Sequence, residues 1–216
     1  MQRLDAGAFD DLAGRWAQSR TAPRPNRRRA IAVDGKTLRG SGHGGQDGRP
    51  LLAALDHAHG VVLGQVEVGA KTSEIPLFTT LLDRLGIADA VITADAPHAQ
   101  REHARYLVRR GAHYVITGQG NQPSLHTQLA ALPWRDVPVA YGKRERGHGR
   151  TERRTLKVTA VARGLPFPHA AQTIQIMRRR TVKGRWSGET CYAATYGNAG
   201  VADHPAFVSC IVQPFL

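Results

Sequence analysis

Residues 28–41 read RRAIAVDGKTLRGS: an apolar run stops at one carboxylate, Asp34, and gives way to glycine, hydroxyl and basic residues. AIAVDG (30–35) is predicted as a short buried strand ending at Asp34, and the glycine-rich GSGHGGQDGRP (40–50) as the turn that follows. A solvated loop has no need of a carboxylate at the mouth of a buried strand. The chain repeats the arrangement once, in VITADAPHAQ (91–100), where Asp95 ends a second apolar run.

The segments around these two runs set the fold class. LLAALDHA (51–58) and VVLGQVEVG (61–69) are predicted as strands joined at His59-Gly60 as a hairpin. SEIPLFTTLLDRLG (73–86) is predicted as a helix capped by Ser73, with Leu77, Leu81, Leu82 and Leu85 as its stripe. DAVITADA is the next strand, HAQREHARYLVRRG (98–111) a helix closed by Gly111, AHYVITG (112–118) a strand and SLHTQLAALPW (124–134) a short helix. Three hairpin-connected strands followed by alternating helix and strand predict an α/β fold, a ribonuclease H-like mixed sheet flanked by helices. From about Asp136 the texture becomes strand-like with basic loops, in VPVAYG, RTLKVTAVA, QTIQIMRRR and TCYAATYG. The expected organisation is an N-terminal helix and basic linker over 1–28, carrying a weak helical pattern of Leu4, Phe9, Leu12 and Trp16. A core follows over 29–135, then a basic β-rich insert toward the C-terminus over 136–196, and a divergent tail over 197–216.

Charge narrows the partners. The 216 residues hold 30 Lys+Arg against 17 Asp+Glu, a formal charge of +13, so a polyanion is the expected partner and nucleic acid the first to test. KRERGHGRTERR (143–154) alone carries six Lys/Arg and two Glu, a net of +4. No segment approaches the about 20 apolar residues of a membrane span, and the start MQRLDAGAFDDLAGRW lacks the layout of a signal peptide, so a cytoplasmic protein off the membrane is expected. Two cysteines, Cys191 and Cys210, are too few for a disulfide framework or a thiolate zinc site.

In open sheets with alternating helices, functional groups gather at the carboxyl ends of strands. Asp34 and Asp95 both sit there, 95 − 34 = 61 residues apart. If their strands are neighbours, two carboxylates face one pocket, and their repulsion calls for a divalent cation. Oxygen-only ligands suit Mg2+ or Mn2+. Two such ions about 3.5–4 Å apart would clamp the attacking and leaving oxygens of a phosphodiester displacement. Lys36 and Arg39 could meet the scissile phosphate. Arg144, Arg146 and Arg150 are expected to contact the DNA backbone, and His148 either to contact phosphate or to sit in a glycine turn.

IAVDGKTLRGS, KTSEIPLFTTLLDRL, VITADAPHAQREHARYLVRRGAHYVI, GNQPSL and RGHGRTERRTLKV, taken in order from about Ala30 to Ala194, resemble the successive blocks of a DDE transposase of bacterial insertion sequences, of the ISAs type. The resemblance implies a ribonuclease H-like fold, metal ligation by Asp34 and Asp95, a place for His98 in the active-site block, where it contacts DNA or else caps or packs the following helix, and nicking of transposon ends followed by strand transfer. It also implies DNA as partner, with a homodimer or a dimer with intact transposase as the assembly. Three departures stand out. Pro97 and Ala99 replace a bulky apolar residue and a threonine, with a shifted helix start expected at Pro97. Gln119 replaces a lysine. The family's catalytic glutamate, in a His-Trp-x-Ile-Glu-Asn motif after the insert, has no counterpart in these 216 residues. A transposase truncated at both ends and catalytically incomplete is therefore expected. The alternatives are a metal nuclease that uses Glu152 as its third ligand, or a regulator that occupies transposon ends without cutting them.

Overall fold

The computed structural model describes residues 5–21, 28–38, 40–41, 48–69, 73–118, 122–147, 150–161, 165, 167–182 and 185–196. Arg39, His148, Cys210 and the tail from 197 lie outside them. In chain order the elements are α1 (Ala6–Arg20), β1 (Ala30–Thr37), β2 (Pro50–Asp56), β3 (Val61–Glu67), α2 (Leu77–Asp83), β4 (Val91–Ala94), a 3-10 turn (Ala96–His98), α3 (Arg101–Arg109), β5 (His113–Gly118) and α4 (Pro123–Ala130). Four long strands follow, β6 (Val139–Gly147), β7 (Arg150–Ala160), β8 (Gln172–Val182) and β9 (Arg185–Tyr196).

All nine strands form one mixed sheet in the order β3-β2-β1-β4-β5-β9-β8-β7-β6. β1 pairs in parallel with β4 and β4 with β5, and every other pairing is antiparallel. The first five strands thus have the ribonuclease H-like arrangement: a three-strand meander followed by two parallel strands reached through helices. Gly60, at φ 65°, turns the β2–β3 hairpin in the left-handed region that glycine enters without strain. Alternation divides the sheet into two faces. Ile31, Val33, Ile92, Tyr114 and Ile116 join Phe78, Leu81, Leu107, Leu125 and Leu129 from the helices in the main core. Val91, Val115, Leu156, Ile174, Ile176 and Ala193 form a smaller core on the opposite face.

Two sequence expectations shift by a few residues, and a third shift is the expected one. β1 does not end at Asp34 but runs to Thr37, because β2 still pairs with it after β4 has stopped. α2 starts at Leu77 rather than beside Ser73; Pro76 suits a first turn but pushes the residue before it out of helical geometry, and no side chain caps the helix. Pro97 moves the next helix start as expected, with a 3-10 turn over 96–98 and α3 beginning only at Arg101.

α1, capped by the Asp5 carboxylate, lies against β3, and its apolar stripe points away from the sheet. Phe9, Leu12 and Trp16 are exposed, whereas Ala17 is buried and Gly14 faces the backbone of Leu63. A Cβ on Gly14 would stand 2.6 Å from the Leu63 carbonyl oxygen. Glycine to alanine inside a helix ordinarily gains up to about 1 kcal/mol. Here the steric conflict is with backbone, so Gly14→Ala is expected to lower the thermal midpoint by a net cost on the order of 1–3 kcal/mol. A raised midpoint would show that α1 does not seat on β3. Among the described residues no helix is long and apolar enough to cross a membrane.

Candidate active site

β1 and β4 run side by side with Val33 opposite Ala94, so Asp34 and Asp95 occupy the next step on two adjacent parallel strands. Both are in phase with the residues of the face opposite the helices: Asp34 with Ala30 and Ala32, Asp95 with Val91 and Thr93. Asp95 keeps an extended backbone at φ −78°, ψ 173°, and its Oδ1 accepts a hydrogen bond from Thr117 Oγ1 at 3.1 Å, which reaches across from β5. Asp34 is half-buried, and burial holds its carboxyl above the usual range; Lys36 pulls it down and the neighbouring Asp95 pushes it up. The two carboxylates therefore sense one another. Among the described residues neither takes part in an ion pair, although the protein carries a formal +13.

Glu74, in the turn before α2, comes close to this site although the sequence offered it only as part of a helix start. Its carboxylate lies against the Cα of Gly35, where a Cβ would run into Glu74 Oε1 and the glutamate would have to swing aside. Burial, and then the charge of Asp34, raise its pKa. Glu74 Oε2 stands 3.7 Å from His98 Nε2. His98 is not at the surface, as a phosphate-contacting histidine would be: it is 1% exposed, stacked on Phe78 with ring centroids 5.0 Å apart. Neither of its ring nitrogens has a hydrogen-bond partner among the described residues. Burial, with His103 beside it, pushes its pKa down to about 4, against a pull from Asp95.

The remaining sequence candidates fall elsewhere. Lys36 is exposed two residues along β1 from Asp34 and in phase with it. Arg144 and Arg146 are exposed on β6. Arg150 pairs with Gly147 and Val182 in the ladder, and its side chain lies outside the described part. Glu152 sits on β7, four strands from β4 in the sheet order, a lateral separation of roughly 19 Å at the usual strand spacing. Its carboxylate is engaged by Arg154 at 2.5 Å and by Arg178 and Arg180 at 3.4 Å each. Burial raises the Glu152 pKa less than these arginines lower it. Cys191, half-buried on β9, has its thiol pushed up to about 11 by burial and by Glu189, whose Oε1 is 3.6 Å from Sγ. Among the described residues no three His, Cys, Asp or Glu side chains are grouped as a metal cage.

A ribonuclease H-like sheet with an acid pair on its first and fourth strands defines the class. Within that class, the transposase DDE domain family matches residues 25–190, and the chain belongs to that family. A protein of Escherichia coli O157:H7 and one of strain K12, both bearing the transposase name YncI, are 31% identical to it over 172 residues. Those matches cover 74% of this chain, 43% of the O157:H7 protein and 67% of the K12 protein. The H repeat-associated YbfD of strain K12, also transposase by name, is 29% identical over 134 residues, 57% of this chain and 52% of YbfD. Among solved structures, the piggyBac transposase synaptic complex with hairpin DNA aligns at a TM-score of 0.42 and 12% identity, over 83% of this chain and 34% of that one.

Proposed function

We propose that this chain is the catalytic-core portion of a DNA transposase in which Asp34 and Asp95 hold a divalent cation, Mg2+ or Mn2+, and that its 216 residues bind transposon-end DNA without cutting it efficiently. Transposases of the DDE family generally work with divalent metal ions. The observation that carries the reading is the acid pair: two carboxylates on adjacent strands, in register, on one face, with neither in an ion pair among the described residues of a strongly basic protein and only Lys36 acting on Asp34 from a distance. The donor set fits a hard cation, because both groups offer oxygen and nothing softer stands between them.

A divalent ion there supplies polarisation and charge neutralisation of a scissile phosphodiester. The chain's own residues do the rest. Thr117 fixes the Asp95 carboxylate by donating a hydrogen bond to its Oδ1, leaving Oδ2 for a cation. Lys36 stands ready to take a phosphate oxygen beside the acids. Glu152, held by three arginines, plays no part in the acid set. The family's activity, hydrolytic nicking followed by strand transfer, is thereby assigned to family members that carry a third acid beside this pair, and DNA occupancy to this chain.

A mobility-shift assay with duplexes from the ends of its own element in Mn2+, followed by a denaturing gel, tests both halves. The expected result is a retarded duplex with intact strands. Absence of retardation at about 50 mM salt, where phosphate contacts are strongest, contradicts the DNA half, and nicked strands contradict the other.

A further inference from the structure

We propose that the ribbon of β6, β7, β8 and β9 meets the phosphate backbone of DNA with one face only, the face that carries Arg144, Arg146, Arg153 and Arg179. This rests on the reading of DNA as the partner, and adds which surface bears it and which does not.

The strand register sorts the ribbon's charges. In phase with Asp95 and Cys191 are Arg185 and Glu189 on β9, Arg178 and Arg180 on β8, Arg150, Glu152 and Arg154 on β7, and Lys143 and Glu145 on β6. Most of this face's charges pair with one another: Lys143 meets Glu145 at 2.7 Å, and Arg154, Arg178 and Arg180 converge on Glu152. The other face carries Arg144, Arg153 and Arg179 directly opposite one another on three successive strands, all exposed, with Arg146 two residues further along β6. No acid accompanies them, and none of the four is in an ion pair among the described residues. Like charges placed directly opposite across strands repel, so this row disfavours the isolated fold unless an anion covers it. A polyanion of regular spacing is the chemistry that fits a row of three cations spanning roughly 10 Å.

A sheet of ordinary twist does not keep its two faces opposed over this distance. β7 lies five strand steps from β1, and about 20–25° of twist at each step turns the sheet by roughly 100–125°. At that twist the bare arginine face of the ribbon would swing toward the side on which Asp34 lies, as one duplex engaging both requires.

Three proteins test the assignment by the dependence of duplex affinity on salt: wild type, Arg153→Ala/Arg179→Ala, and Lys143→Ala/Arg185→Ala, the last pair being in phase with the self-paired face. Losing two phosphate contacts is expected to flatten the slope of log K against log salt by about 1.8 in the first variant and leave it unchanged in the second. Trp186, 63% exposed and paired with Thr181 on the bare face, reports independently. In a Trp16→Phe background with the ribbon otherwise unaltered, DNA is expected to shield Trp186 from acrylamide, a readout that stands even if a charge variant misfolds. An unchanged slope in Arg153→Ala/Arg179→Ala, an equal flattening in both variants, or undiminished quenching of Trp186 overturns the one-face assignment while DNA binding stands. A wild type without salt-dependent binding overturns the DNA reading, and the assignment with it.

Discussion

Nicking of transposon-end duplexes by the 216-residue chain in Mn2+ is expected to fall short of a complete three-acid site by at least a few orders of magnitude, below detection in an ordinary gel assay. Two metals in a phosphodiester-cutting site need carboxylates from three positions: one acid bridges, and each ion requires a further ligand. On the proposed reading Asp34 and Asp95 supply two, and among the described residues no third His, Cys, Asp or Glu completes a cage with them. Glu74 is close, but its carboxylate is turned onto Gly35 and toward His98. Loss of the second ion removes several kcal/mol of stabilisation of the attacking and leaving oxygens, and each about 1.4 kcal/mol is a factor of ten in rate. Clear nicking that disappears in Glu74→Gln, with DNA binding retained, would locate the missing ligand and refute the incompleteness.

The second large effect is acid lability from His98. Its folded pKa of about 4 lies below the ordinary 6.5, because burial disfavours the charged ring. Between those values the unfolded chain binds the extra proton, so stability is fully present above about pH 6.5 and is lost as the pH falls toward 4. The loss is at most about 3 kcal/mol, a fall in thermal midpoint of roughly 6–12 °C for a chain of this size. His103, also lowered by burial, acts in the same direction. Glu74 and Asp34, both raised, act in the opposite one, since the folded state holds their protons more tightly. Comparison with His98→Phe, which keeps the stack on Phe78, isolates the histidine: the variant's midpoint should vary less over this window. Titration of the His98 ring proton by NMR in the wild type gives the same answer without a substitution, and an ordinary midpoint near 6.5 would refute it.

The sheet's first half was legible because its signals are local. Four-residue apolar runs ending in an acid mark β1 and β4, the His59-Gly60 turn marks the β2–β3 hairpin, and the leucine spacing marks α2. What joins β9 to β5 is not local: Thr117 and Ala193 are opposite one another with the whole ribbon between them in sequence, and no short-range pattern records that pairing. The outward stripe of α1 was hidden for a related reason, since Gly14 and Ala17 win the contact with β3 by their small size rather than their hydrophobicity. Of the site, Asp34 and Asp95 could be picked out by their equivalent strand positions. Glu74 could not, because its proximity depends on a glycine 39 positions earlier, 74 − 35, leaving room for a carboxylate. His98 could be read from the sequence either as an active-site contact or as a capping or packing residue; its burial against Phe78, which decides for packing, is a tertiary fact.

Titration with Mn2+, read from the EPR signal of the free ion, tests the acid pair most directly and needs no turnover. The wild type is expected to take up one ion per chain. Removing a metal-orienting group one shell out already costs about 10–100-fold in affinity, so Asp34→Asn and Asp95→Asn should each weaken binding by no less, while Glu152→Gln leaves it unchanged. Equal Mn2+ uptake by the wild type, Asp34→Asn and Asp95→Asn would contradict the account, as would a loss seen only in Glu152→Gln.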